Sequence, residues 1–245
     1  MLKRINIFFL FRATYVQKGQ IEVSMDKEKL FSCSDCGVYA CKGNGAVFPK
    51  DCLTRQTQEK LLPEMRKTAG DPAVRRLIVA SAETEATGYG RWCRIEDTIA
   101  FARRIGAKKL GVASCIGLIQ EARQLAKVLQ THGFTVHTAC CKIGAVPKED
   151  LGIPEYCTSC GKNSCNPILQ ASYLNERQTD LNIVFGLCVG HDSLFYRYSD
   201  ALCTTLVAKD RVTGHHPVMP LYLTETYYKR LLVQSDVDDI QPLEE

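Results

Sequence analysis

Leu110-Gly111-Val112-Ala113, then an apolar stripe at Ile119, Ala122, Leu125, Ala126 and Leu129, a stop at Gly133, and a second apolar stretch over Phe134 to Ala139 form the passage that decides the fold. The two short runs have the length of strands. The stripe between them recurs every three to four residues, the period of a helix. Strand, helix, strand at this spacing is a βαβ unit, whose right-handed crossover joins parallel strands. Working outward, Leu77-Ile78-Val79-Ala80 reads as a strand opening the series, and Ile95, Ile99, Ala102 and Ile105 as the helix after it. Ile183 to Val189 is nearly continuously apolar, as a strand buried on both faces requires. Thr204 to Ala208 and Val218 to Leu223 read as further strands, the last at an edge because Pro220 removes a donor. A helix is expected around Ile168 to Glu176. The expected fold is α/β, an open, mostly parallel sheet of five or six strands with helices on both faces and two cysteine-rich metal-binding loops.

Composition narrows the function classes. The chain has 245 residues, enough for a proper core, and 45% hydrophobic with 24% charged residues excludes general disorder. A net charge of +4 without a basic, aromatic-laced stripe gives no argument for nucleic acid. No apolar run approaches the roughly 18 residues of a membrane span. Thirteen cysteines are many for a chain whose core needs no staples, so metal binding or thiol chemistry is expected over a disulfide scaffold. No phosphate-binding glycine loop, H-E-x-x-H or G-x-S-x-G motif occurs.

The cysteines are patterned. Cys33-Ser-Asp-Cys36-Gly37-Val-Tyr-Ala-Cys41 and Cys157-Thr-Ser-Cys160-Gly161-Lys-Asn-Ser-Cys165 repeat one motif, C-x2-C-G-x3-C. Two cysteines three apart in a tight turn can aim both sulfurs at one ion, and a third can close over it. The glycine permits a positive φ that would turn backbone N–H groups toward the thiolates. Cys52 is the natural fourth ligand of the first site, with a buried free thiol as its alternative. For the second site the sheet supplies candidates, because ligands of open parallel sheets bind beyond the carboxyl ends of strands. Cys140 or Cys141 is the first choice and Cys188 the next. Three close cysteines with a distant fourth suit an iron–sulfur cluster, and zinc is the other occupant the spacing allows.

Other residues carry separate expectations. Cys115 precedes a helix start, where a thiol is activated, so it is a candidate nucleophile. His191 and Asp192 follow the Ile183 strand and are candidates for proton transfer, with helix capping by Asp192 or Ser193 the plainer role. Cys93, in the loop between the first strand and its helix, Cys188 and Cys203 read as small apolar core residues if they are not ligands. His215-His216 would diverge in a strand and is not expected to bind metal.

Three segments follow. Residues 1–24 read as an upstream extension or leader, since Met25 opens a natural start and the run from Ile5 to Phe11 is interrupted by Asn6 and ends at Arg12 without a cleavage site. Residues 25–75 read as an N-terminal cysteine-rich module, and 76–245 as an α/β domain with an inserted loop at 141–166.

The first cysteine motif, Arg94-Ile95-Glu96-Asp97, Gly111-Val-Ala-Ser-Cys115-Ile-Gly117 and Gly186-Leu-Cys188-Val-Gly190-His191-Asp192-Ser-Leu-Phe195 together resemble an uncharacterised cysteine-rich family, a domain-of-unknown-function family described as metal-binding and found mainly in anaerobic bacteria and archaea. The resemblance spans roughly Phe31 to Leu223. It implies a cytoplasmic metal-binding protein and brings no reaction. The functional expectation is electron transfer or redox-linked binding of a small molecule, served by a redox partner protein or that small molecule. An enzyme using Cys115, or a metal centre with His191 and Asp192, is the second class. A structural zinc or metal-carrier protein is the third.

Overall fold

The computed structural model describes residues 32–43 and 45–243, so the expected leader at 1–24 lies outside the described residues. The chain divides into two units between Thr68 and Ala69. In the first, Cys33–Asp35 and Ala40–Lys42 form 3-10 turns, followed by helices α1, Leu53–Thr57, and α2, Leu61–Ala69 at the boundary. Ala40 is its one buried residue among those described.

The second unit holds the sheet. Its elements are α3 (Pro72–Gly88), α4 (Arg94–Arg104), β1 (Lys109–Ser114), α5 (Ile119–Thr131), β2 (Thr135–Cys140), α6 (Pro167–Glu176), β3 (Leu181–Phe185), α7 (His191–Tyr198), β4 (Leu202–Val207) and the one-turn α8 (Met219–Tyr222). The four strands run in the order β2-β1-β3-β4, every neighbouring pair parallel. Period-2 alternation sorts their side chains onto two faces. Leu110, Val112, Ile183 and Phe185 pack with Ile99 and Ala102 of α4 and Leu125 and Leu129 of α5. Ala113 and Val184 face the other way, against Ala171 and Leu174 of α6 and Phe195 of α7. Each fully buried aliphatic side chain contributes about 1.5–3 kcal/mol through the water it sheds.

Two expected strands are helices instead. Leu77–Ala80 lies inside α3. Its apolar run imitates a buried strand, but Asp71 caps the chain just upstream, its carboxylate accepting from the N–H groups of Ala73 and Val74, and Pro72 is preset for a first helical turn. Only Ala80 of that run is buried, while Ile78 and Val79 are about half exposed. Val218–Leu223 contains α8, where Pro220 sits in the first turn and needs no hydrogen bond. Among the described residues the sheet therefore has four strands, all parallel, rather than five or six. Among the described residues, no helix is long and apolar enough to cross a membrane.

Two glycines and one carboxylate set the register. A Cβ at Gly111 would stand 2.0 Å from Asn182 Oδ1, so the small residue admits this fully buried amide, which in turn bonds Thr179 and Ser199. Gly186 takes φ +69° directly after β3, and a Cβ there would meet Leu118 at 2.2 Å. It turns the chain sharply, so Cys188 lies beyond the strand rather than within it. Asp180 accepts from the backbone N–H groups of Lys108 and Lys109 at 2.7 and 2.8 Å, locking the amino end of β1.

Candidate functional site: a thiol cluster at the carboxyl edge of the sheet

The strand order places a topological switch between β1 and β3, because the chain leaves β1 toward β2 on one side and β3 toward β4 on the other. Crevices at such points are where open α/β sheets bind ligands. Here the crevice is lined by sulfur. Cys115 follows β1 and caps the 3-10 turn Ile116–Leu118, its sulfur accepting from Gly117 N at 3.4 Å. The neighbouring Ile116 N donates to Cys141 Sγ at 3.3 Å, so two successive N–H groups hold two sulfurs over one turn. Cys141 follows β2, and its sulfur lies 3.8 Å from Cys165 Sγ, just ahead of α6. His191, the first residue of α7, is coupled electrostatically to Cys165. Cys141 and Cys165 are thus in direct contact, and Cys115 and His191 are coupled to them electrostatically.

One side chain ties its supports together. Gln170 of α6 is fully buried, and its Nε2 donates to Ser114 O at 3.1 Å and Ala139 O at 2.7 Å. Those carbonyls belong to the last turns of backbone before Cys115 and Cys140. The amide thus joins the two strand ends and the helix that carry the three thiols. Its Oε1 and the hydroxyl of Ser114 have no hydrogen-bond partner.

The electrostatics favour anionic sulfur. The hydrogen bond of Cys141, then the Gly117 N–H and the charge of Lys209, lower Cys115 to about 5 against the opposing effect of burial. Cys141 and His191, with the nearby Lys142 charge, lower Cys165 to about 3. Cys141 is pushed up, since its proton is held between the two other sulfurs. The Cys165 thiolate raises His191 in turn. Arg211 Nη2 donates to Cys188 Sγ at 3.3 Å and also feels the charges of Cys115 and Cys160. Lys148, only 7% exposed, places its ammonium on the Cys157 carbonyl and on Cys160 Sγ at 3.3 Å. None of these cations has a carboxylate partner, the sole ion pair among the described residues being Arg104–Glu83.

The expected site residues are thus sorted by the fold. Cys115, Cys141, Cys165 and His191 come together. Cys140 closes β2 and its sulfur accepts from Lys142 N, without joining that group. Cys157, Cys160 and Cys188 stand around Lys148 and Arg211. Asp192 accepts from Ser193 N in the first turn of α7. As the side chains stand, no three His, Cys, Asp or Glu groups among the described residues surround a point that an ion could occupy. In the first unit Cys33, Cys36, Cys41 and Cys52 form no such group, and Cys52 is held low by Thr54 at the start of α1. Gly161 has the positive φ expected of the motif glycine, +112°, whereas Gly37 does not; Tyr39 takes φ +52° instead. Cys93 caps α4 between two helices, not a strand and a helix, its N–H donating to Glu96. Cys203 lies half-buried in β4, where burial raises its thiol. His215 lies in a loop, its Nδ1 accepting from Asp210 N.

Lys142, Lys148, Lys209, Arg211 and Gln170 were not singled out from the sequence. Lys142 and Lys209 had a signal, one beside Cys141 and the other just past β4. Gln170 had none, since a glutamine on a helix reads as a solvated residue.

Residues 52–206, from Cys52 to within a residue of the end of β4, match a family described as a protein of unknown function, DUF1847. The chain belongs to this family. An uncharacterised protein of the archaeon Methanocaldococcus jannaschii is 40% identical over 200 residues, 82% of this chain and 97% of the relative. No solved structure matches the chain. The DUF1847 span contains Cys115, Cys141, Cys165 and His191, and leaves Cys33, Cys36 and Cys41 outside.

Proposed function

We propose that this protein binds a metal centre through cysteine thiolates at the carboxyl edge of its sheet. One observation carries the reading: at a strand-end crevice Cys141 Sγ lies 3.8 Å from Cys165 Sγ and accepts from Ile116 N, the residue after Cys115. Thiolates and imidazole are the ligands of zinc and of iron–sulfur centres, so the donors fit. Lys142, Lys148, Lys209 and Arg211 supply the positive surroundings that a sulfur-rich, net negative centre needs. An iron–sulfur centre would serve electron exchange with a partner protein or small molecule; zinc would order the loops or polarise a ligand.

The enzyme alternative changes shape, because the charge of His191 is coupled to Cys165 rather than to the expected nucleophile Cys115. The deciding experiment is anaerobic purification of the full chain, followed by metal and acid-labile sulfide analysis and visible absorption. Stoichiometric iron with sulfide, or stoichiometric zinc, supports the reading. Metal-free protein that takes up neither after reduction and reconstitution would sink it.

A further inference from the structure

We infer that Cys165 and Cys141 form a two-cysteine redox site, in which the pair of thiols reduces a small disulfide molecule and closes into a disulfide of its own. The inference goes beyond the metal-centre reading and needs the two thiols alone. A sulfur tied in a disulfide is not a thiolate ligand, so the disulfide and a metal exclude each other at these two positions.

The first support is direct contact. Cys165 Sγ donates to Cys141 Sγ at 3.8 Å, so the two side chains already point at one another. Bond formation brings the sulfurs to about 2.05 Å and requires backbones near enough to be bridged. Those backbones are tied. Asn166 N donates to Cys141 O at 2.8 Å, and Cys141 N donates to Ser114 O at 2.8 Å. Gln170 of α6 binds the carbonyls of Ser114 and Ala139, which fixes the helix after Cys165 to the strand before Cys141.

The second support is the place of the pair in its loop. The segments that leave Cys141 and return to Cys165 are paired with each other. Ser164 N donates to Val146 O at 2.8 Å and Lys148 N to Lys162 O at 3.1 Å, with an antiparallel bridge between Pro147 and Asn163. Lys142 Nζ adds a bond to Asn163 O at 2.6 Å. A Cys141–Cys165 bond falls at the foot of this stem and closes the loop over 142–164 without unpairing it. Neighbouring sulfurs are engaged elsewhere: Cys140 Sγ accepts from Lys142 N, and Cys160 Sγ from Lys148 Nζ.

The third support is access, which sets the order of the two steps. Cys141 is 2% exposed, whereas Cys165 is half-buried. Attack on an incoming disulfide requires a reachable sulfur, so Cys165 reacts first. Its thiolate attacks one sulfur of the small disulfide, whose S–S bond breaks. A mixed disulfide forms on Cys165, and the first small thiol leaves with the proton that Cys165 gave up. Cys141 then attacks Cys165 Sγ, the mixed disulfide breaks, and the second small thiol leaves with the proton of Cys141. Two electrons pass from the cysteine pair to the small disulfide, which becomes two thiols.

The test uses the full chain, reduced, treated with a chelator and exposed to glutathione disulfide under anaerobic conditions. Free thiols are then alkylated, and tryptic peptides are mapped by mass spectrometry. Residues 128–142 and 163–177 fall on separate peptides. The expected first product is a link between these two, reversed by dithiothreitol and retained in Cys140→Ser. Cys141→Ser should stop the reaction at a glutathione adduct on Cys165. That adduct should form roughly 10-fold faster than any adduct on Cys141 in Cys165→Ser, because exchange follows access.

No link between the two peptides, a link lost with Cys140→Ser, or an adduct that forms as readily on Cys141 overturns the inference. The map of the unaltered chain decides the pair, so a variant that fails to fold does not shield it.

Discussion

The same motif, C-x2-C-G-x3-C, is written twice in this chain and meets two different fates. At Cys33–Cys41 it folds into two short turns, its thiols mostly exposed, and among the described residues no three ligating groups gather there. At Cys157–Cys165 the motif's last cysteine is delivered to the start of α6, against Cys141. The glycines differ in parallel, Gly161 turning at φ +112° while Gly37 does not take a positive φ. Local spacing brings cysteines near one another, but the partner that completes a site comes from a distant element held by a core. The second motif has such a core beneath it; the described part of the first unit buries only Ala40.

Breaking the core should therefore disorganise one motif and spare the other. Leu174 is fully buried on the α6 face of the sheet, packed in the cluster that contains Cys115 and Cys141. Leu174→Ala is expected to cost about 2–5 kcal/mol, measured by urea unfolding. It should also speed labelling of Cys141 and Cys165 by a thiol reagent, with labelling of Cys33 and Cys36 unchanged. Equal acceleration at both motifs would break the comparison.

A control comes from the opposite end of the sheet. Asp180→Ala removes two charge-assisted hydrogen bonds at the amino end of β1 and should cost roughly 1.5–3 kcal/mol. Because the thiol cluster lies at the carboxyl end, its labelling pattern should persist below the unfolding transition.

The comparison sharpens spectroscopically. Metal-free protein should show thiolate absorbance near neutral pH from Cys115 and Cys165, whose thiols sit at about 5 and about 3. A lowered thiol is ionised above its own value and protonated below it, so the signal should fall as pH falls through about 5 and again through about 3. Cys165→Ser should abolish the lower step. Absence of any thiolate signal at pH 7 would remove the charge asymmetry of the cluster.

The smallest effect concerns a helix that the apolar pattern hid. Asp71→Ala removes the cap of α3 and should lower stability by about 1 kcal/mol, read as a modest drop in unfolding midpoint.

That helix also shows what a sequence reading catches. The βαβ unit over β1, α5 and β2 was legible because strand and helix periods differ, and an amphipathic stripe has one stable way to pack on a parallel pair. Leu77–Ala80 was misread because a short apolar run has no period of its own; only the Asp71-Pro72 cap distinguishes it. Val218–Leu223 failed similarly, since proline is as much at home in a first helical turn as at a strand edge.

The linear pattern determined that the chain is α/β, that β1 and β2 run parallel, and that thiols cluster at strand ends. Those properties follow from periodicity and chain connectivity, which are local. Tertiary structure alone decided that Cys141 rather than Cys140 meets Cys165, that the charge of His191 is coupled to Cys165 rather than Cys115, and that Gln170 ties the ends of β1 and β2 to α6. Successive residues past a strand end point in opposite directions, and the strand order β2-β1-β3-β4 sets which ends become neighbours. Spacing along the chain carries neither fact.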